Sequence, residues 1–241
     1  MKILIRKKEE EIDSLKKWYK YAGPKANDKH WQPGRSALEF ARFALSADFT
    51  KFTESLLSNY NITEDSFICE PEALTPFEKG MGSGGPRNHD FLMLGKNTVV
   101  GIEAKVSESF DKRIKAKRKA GGDNMKIRLN ACLDFMHKKW PENAEDLHYQ
   151  LYSATIGTIL EAKKRGLSNA VVLFVVFVGD VAKERYYDKR IKNNNEAFID
   201  FCKAFNLDEH GGCVPEIPGA PSINVVIKKV EVNINDYNVL Y

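Results

Sequence analysis

The chain has 241 residues, 43% of them hydrophobic and 11% aromatic, with 37 Lys and Arg against 33 Asp and Glu for a net charge of +4. That composition supports a substantial core and excludes a disordered or collagen-like chain, and so small a charge excess does not argue for nucleic-acid binding over the whole surface. The longest apolar run, Ala170 to Val178, is half of what a membrane helix needs, and the apolar run in MKILI is too short for a signal-peptide h-region.

Residues 8–22 read as a short charged helix ended by Gly23-Pro24, followed by the linker GPKANDKHWQPGR. Pro33-Gly34 opens a helical pattern, SALEFARFALSADFTKFTESLLSNY, with a break between Ser46 and Phe49. SFICE, from Ser66 to Glu70, is a short strand, and Pro71 to Asn88 is a Gly- and Pro-rich connection of the kind that carries function. DFLML, the turn GKNT and VVGIEAKV then form a hairpin.

A basic segment, Lys112 to Arg128, carries eight Lys or Arg residues. It reads as a solvated face or, if it flanks a catalytic site, as a phosphate-binding segment. An amphipathic stretch, LNACLDFMHKKW, follows it, and Asp146 to Arg165 is a helix closed by Gly166. AVVLFVVFV is apolar on both faces and belongs at the centre of a covered sheet. Glu196 to Phe205 is a further helix, and INVVIKKVEV, from Ile223 to Val232, a strand near a sheet edge.

This order describes an α/β fold, a mixed β-sheet with helices on both faces. Only the last link of the helix-strand-strand-strand-helix-strand series is a parallel crossover. One domain is expected over 1–241, with a helix and linker in 1–35, the core in 36–178 and a helix and strand extension in 179–241. The four cysteines lie far apart without CxxC spacing, and His210-Gly-Gly-Cys213 has no second ligand pair to make a zinc site. A soluble, cytoplasmic protein with reduced thiols is expected.

VVGIEAKV poses a problem, because Glu103 and Lys105 are two apart in a strand and share a face. Burying both is costly unless they are paired or hold a metal. A two-residue turn at Lys96-Asn97 makes Asp90 the cross-strand partner of Glu103. Partners on one face have Cβ atoms roughly 4.5–5.5 Å apart, and two carboxylates that close repel unless a proton or cation lies between them. Phe91, Met93, Val100, Ile102 and Ala104 form the apolar opposite face. Two carboxylates are hard oxygen ligands suited to Mg²⁺, and a lysine beside them orients or deprotonates a water.

The order Asp90, 12 residues, Glu103-Ala104-Lys105 on a hairpin resembles the catalytic core of the PD-(D/E)XK nuclease superfamily. The resemblance covers about 36–178 and implies an α-β-β-β-α-β restriction-endonuclease-like core. It also implies Asp90 and Glu103 as ligands of Mg²⁺ or Mn²⁺, with Lys105 assisting the water. Glu161-Ala162-Lys163 repeats the letters inside a helix, so strand context and not the letters distinguishes Glu103. The superfamily often places a glutamate on its first core helix, where Glu39 stands, and Glu39 also reads as a capping box with Ser36. A glutamine on the helix after E-x-K matches Gln150. His89 stands where the superfamily has proline, and alternation points it away from Asp90.

WQPGRSALEFAR, GIEAKVSESF and HYQLYSATIGTILEA together resemble a bacterial branch of the superfamily with no assigned activity. The function implied is a metal-dependent endonuclease or exonuclease acting on DNA, with Arg35, Lys112, Arg113, Lys115, Lys117, Arg118 and Lys119 facing the nucleic acid. Oligomeric state stays open, a homodimer being common among double-strand cutters of this type. The alternatives are a catalytically silent nucleic-acid-binding module of the same fold and an interaction protein with a structural metal site.

Overall fold

The computed structural model describes residues 1–24, 28–82, 85–106, 108–179 and 187–237. Its strands, in chain order, are β1 (Lys2–Lys7), β2 (Glu10–Glu11), β3 (Ser66–Thr75), β4 (Arg87–Leu94), β5 (Thr98–Lys105), β6 (Asn169–Val178), β7 (Gly211–Val214) and β8 (Asn224–Asn233). The helices are α1 (Leu15–Ala22), α2 (Ser36–Leu45), α3 (Ala47–Ser58), α4 (Ile114–Ala120), α5 (Asp123–Met136), α6 (Tyr149–Arg165) and α7 (Tyr187–Lys203). Among the described residues the strands form one mixed sheet in the order β2-β1-β3-β4-β5-β6-β8-β7. The series α-β-β-β-α-β is present as α2, β3, β4, β5, α6 and β6. Among the described residues no helix is long and apolar enough to cross a membrane.

Hydrophobic patterning accounts for the layers. One face of the sheet packs Phe67, Phe91, Met93, Val100 and Ile102 against Trp18 of α1, Phe40 of α2 and Phe49 of α3. Trp18 stacks on Phe91 with ring centroids 5.6 Å apart. The other face packs Leu92, Val99, Val172 and Phe174 against Leu133 of α5, Tyr152 of α6 and Phe198 of α7. β6 pairs in parallel with both β5 and β8, so its run of β-branched and aromatic side chains is covered on both faces.

Several sequence expectations need correction. The helix expected over 8–22 is a turn, a strand and a shorter helix: Lys8 turns the chain at φ 57°, Glu10–Glu11 form β2 antiparallel to β1, and Ser14 caps α1 by accepting the Lys17 N–H. Ahead of this stretch, β1 forms where Ile3 and Ile5 pair in parallel with Phe67 and Cys69 of β3. β3 does not stop at Glu70 but runs through Pro71 to Thr75, and β4 begins at Arg87. Pro71 is tolerated because β1 pairs with β3 only as far as Cys69, which leaves the proline at a free edge. β8 does lie near the sheet edge, with the short β7 beyond it over Val225–Lys228. Within the α-β-β-β-α-β series β5–β6 is the one parallel pair, as expected, and β1–β3 and β6–β8, which lie outside that series, are parallel too. Helix α7 starts at Tyr187, ahead of Glu196.

The helix–sheet contact that carries the site is very close. A Cβ added at Gly157 of α6 would lie 2.8 Å from Thr75 Oγ1 and 2.9 Å from both Arg87 Cγ and His89 Nε2. Gly-to-Ala inside a helix ordinarily stabilises by about 1 kcal/mol. G157A should do the reverse, costing about 1–3 kcal/mol through overpacking. The urea midpoint reads this directly, and a midpoint at or above wild type would mean that α6 has room to move.

Candidate active site

The hairpin has the expected register: Phe91 pairs with Ile102 and Leu94 with Val99, and the Gly95 N–H donates to the Thr98 carbonyl at 2.8 Å across the Lys96-Asn97 turn. Beyond Phe91 the alternation slips. Phe91 lies in the core beneath α1 and α2, whereas His89, two residues earlier, packs on the α6 side between Gly101 and Gly157. Asp90 therefore does not project squarely onto the face of Glu103, as unbroken alternation predicts. Its Oδ2 accepts the Ala104 N–H at 2.7 Å, which locks the carboxylate onto β5 one residue from Glu103.

Every residue of β5 is buried, including Glu103 at 2% and Lys105 at 8% exposure. The two charges are paired, Lys105 Nζ lying 2.6 Å from Glu103 Oε1. Gln150, in the first turn of α6, donates its side-chain amide to the same oxygen, and its own carbonyl accepts the Asp111 N–H at 3.1 Å. Arg87, the first residue of β4, binds the other oxygen, Glu103 Oε2. Three elements, β4, β5 and α6, thus converge on one carboxylate. Burial pushes the Lys105 ammonium pKa down, against the upward pull of Asp90 and Glu108. Burial also lowers the Arg87 pKa, with Asp90 the largest opposing charge.

Asp90 borders a cleft of about 1110 Å³ together with Glu70, Glu72, Asn88, Ser36 and Glu108. Glu72 accepts from the Asn88 amide at 2.6 Å, and burial raises its carboxyl pKa. Glu70 pairs with Lys7 at 2.9 Å. Glu108 accepts the Val106 N–H at 2.9 Å and the Ser36 hydroxyl at 3.2 Å, tying the end of β5 to the start of α2. Burial favours its neutral form, but these hydrogen bonds and the Lys105 charge outweigh burial and lower the pKa.

The remaining expected residues fall into two groups. Glu39 is buried in α2, where it accepts from the Gly34 N–H at 2.8 Å and pairs with Arg42 at 3.2 Å. It neither caps through Ser36, which bonds to Glu108, nor makes a described hydrogen bond to Asp90, Glu103 or Lys105. Arg35 is the N-cap residue of α2. Around α4, Arg113 and Lys115 both pair with Asp146, Lys117 with Asp111 and Arg118 with Glu145, so acidic neighbours offset much of the basic run. Lys112 and Lys119 are exposed. Arg128 is buried, its guanidinium over the Phe77 ring and bonded to the Gly85 carbonyl at 2.7 Å. It holds structure and is removed from the phosphate-binding candidates. Replacing Lys112 and Lys119 by Gln should lower the salt slope of DNA binding by about 1 per residue. An unchanged slope would make the segment a solvated face.

Arg87 and Glu108 are the residues that sequence reasoning missed. Arg87 sits in PRNHD, which reads as loop until the strand is seen to begin there. Glu108 left only a weak signal, an acid three residues past Lys105. His89, whose expected side was set by alternation from Asp90, instead bonds to Thr75 Oγ1 at 2.9 Å. Burial, then the Arg87 charge, pushes its pKa down to about 3.

His89 makes stability pH-dependent. Between its ordinary value of 6.5 and its folded value of about 3, the unfolded chain binds the proton and the folded chain does not. Stability is therefore present above 6.5 and is lost as pH falls through that window. The urea midpoint should drop from pH 6.5 to 4, with the His89 imidazole still neutral at pH 5 by NMR. Titration of His89 near 6.5 would contradict its burial.

Among the described residues no three His, Cys, Asp or Glu side chains cluster as a metal site, so the candidate set is the pair Asp90 and Glu103. The pair suits a hard cation that keeps several waters. A carboxylate has about four lone-pair positions, and the donors on Glu103 are Arg87, Lys105 and Gln150. The family described as Domain of unknown function (DUF6946) matches residues 11–234. No curated protein and no solved structure matches the chain.

Proposed function

We propose that this chain, which belongs to the DUF6946 family, is a metal-dependent nuclease that hydrolyses phosphodiester bonds in DNA. The observation that carries the reading is the buried Glu103–Lys105 pair at the end of β5, held by Gln150 and set beside Asp90. The resemblance to the PD-(D/E)XK superfamily supports it by assigning work to the same residues.

Asp90 and Glu103 are the residues that would hold Mg²⁺ or Mn²⁺, which when bound activates water and offsets charge on the phosphoryl oxygens. The remaining work falls to the protein. Ala104 fixes the Asp90 carboxylate through its N–H, and Gln150 fixes the orientation of Glu103. Lys105, with a pKa lowered by burial, is suited to accept a proton at Nζ from the attacking water. Arg87 counters the charge of Glu103 and pre-sets its rotamer. A cytoplasmic site of action fits these roles.

A second reading has its own support. Glu103 already accepts from Arg87, Lys105 and Gln150, which is how a self-contained structural charge network looks. Incubating the purified protein with plasmid, linear duplex and single-stranded DNA in Mg²⁺ or Mn²⁺, beside an E103A control, separates the two. Divalent-dependent cleavage absent from E103A supports the nuclease. No cleavage of any substrate leaves the charge network.

A further inference from the structure

The cleft that ends on Asp90 also has an aromatic wall. Trp18 of α1 is buried, stacked on Phe91, and anchors the helix. The next residue, Tyr19, is 42% exposed, and its ring lies 5.5 Å from that of Trp31 at an interplanar angle of 49°. Both rings line the cleft. Lys8 and Lys20 line the same cleft and are exposed. At 1110 Å³ the space exceeds the range of about 300–1,000 Å³ usual for small-molecule pockets.

We propose that this cleft receives an unpaired stretch of nucleic acid, its bases on Trp31 and Tyr19 and its phosphates near Lys8 and Lys20. Aromatic side chains and lysines along one groove are what a single strand needs, because every base offers a π-face and every linkage a charge. A duplex cannot use such a wall, since its base faces are occupied by stacking. The acidic floor of Glu70, Glu72, Asp90 and Glu108 repels any polyanion, so the phosphates keep to the Lys8 and Lys20 side of the cleft and only the linkage delivered to Asp90 crosses the floor. The assignment deepens the nuclease reading and rests on it for one step only, the delivery of a phosphodiester to Asp90.

Binding is measured by anisotropy of a labelled oligothymidylate, its ribo-equivalent and a blunt duplex of the same length. Ca²⁺ replaces Mg²⁺ so that binding is read apart from turnover. Either single strand should bind more tightly than the duplex. W31A combined with Y19A should weaken single-strand binding by about 10-fold or more, W31F should keep most of it, and K8Q with K20Q should flatten its salt dependence. Equal affinity for duplex and single strand, or unchanged binding by the double aromatic variant with an unchanged melting temperature, would overturn the proposal. Single-strand binding with no cleavage in Mg²⁺ or Mn²⁺ refutes the nuclease reading alone. Duplex cleavage that ignores Trp31 and Tyr19 refutes the single-strand assignment alone.

Discussion

D90A should lose divalent-dependent cleavage while keeping more of its stability than E103A. E103A should lose cleavage and also much of its stability. The difference follows from what each carboxylate touches. Asp90 is half-buried at the cleft and bonds to one backbone N–H, that of Ala104. Losing that charge-assisted hydrogen bond costs about 1.5–3 kcal/mol, and Arg87 and Lys105 also lose the largest charge that opposes their burial. Glu103 is the common acceptor for Arg87 and Lys105, both largely buried. Its truncation strands two desolvated cations, at a cost of about 3–5 kcal/mol. Metal titration followed by thermal melts separates the two contributions. If both variants bind metal and cleave like wild type, the chemistry lies elsewhere. If D90A cleaves normally while E103A merely unfolds, the pair is structural.

Lys105 gives the second large effect, on rate more than on stability. K105M should bind metal, since both carboxylates remain, and cleave about 10²–10⁴-fold more slowly if Lys105 is the general base. Glu103 keeps Arg87 and Gln150, so K105M, which removes one of its two cations, should lower the melting temperature less than E103A does. The pH dependence follows from the lowered lysine pKa. Below the ordinary value of 10.5, the unfolded chain holds the proton more firmly than the folded one. Lys105 therefore costs stability at low pH, and that cost fades as pH rises through the window below 10.5. Wild-type cleavage should rise with pH with a midpoint beneath 10.5, and K105M should lack that limb. A K105M profile matching wild type would remove Lys105 from proton transfer.

How much of this was legible in the sequence depended on how local the determining forces were. The β4–β5 register was readable because a two-residue turn and an apolar alternation fix it within 12 residues. Glu103, Lys105 and Gln150 were readable for a related reason: a costly buried charge demands partners, and the helix after β5 offered one. The slip at Asp90 was not readable, because it arises where His89 packs between two glycines from β5 and α6. β1 was hidden because its partner, β3, lies some sixty residues downstream and only pairing makes KILIRK a strand. Arg87 was hidden with the start of its strand. Glu39 misled because Ser-x-x-Glu is a cap signature, while Glu108 reaches Ser36 from the end of β5. The pairing of α4 with Asp111, Glu145 and Asp146 is likewise tertiary and turns an apparent basic block into a balanced surface.

The central claim is that Asp90 and Glu103 jointly bind a catalytic divalent cation. Its most direct test is cleavage of labelled DNA by wild-type protein and D90A side by side in Mg²⁺ or Mn²⁺, with chelator as the blank. Product is expected from wild type only, abolished by chelator. Product at equal rates from wild type and D90A, or product that persists in chelator, would contradict it.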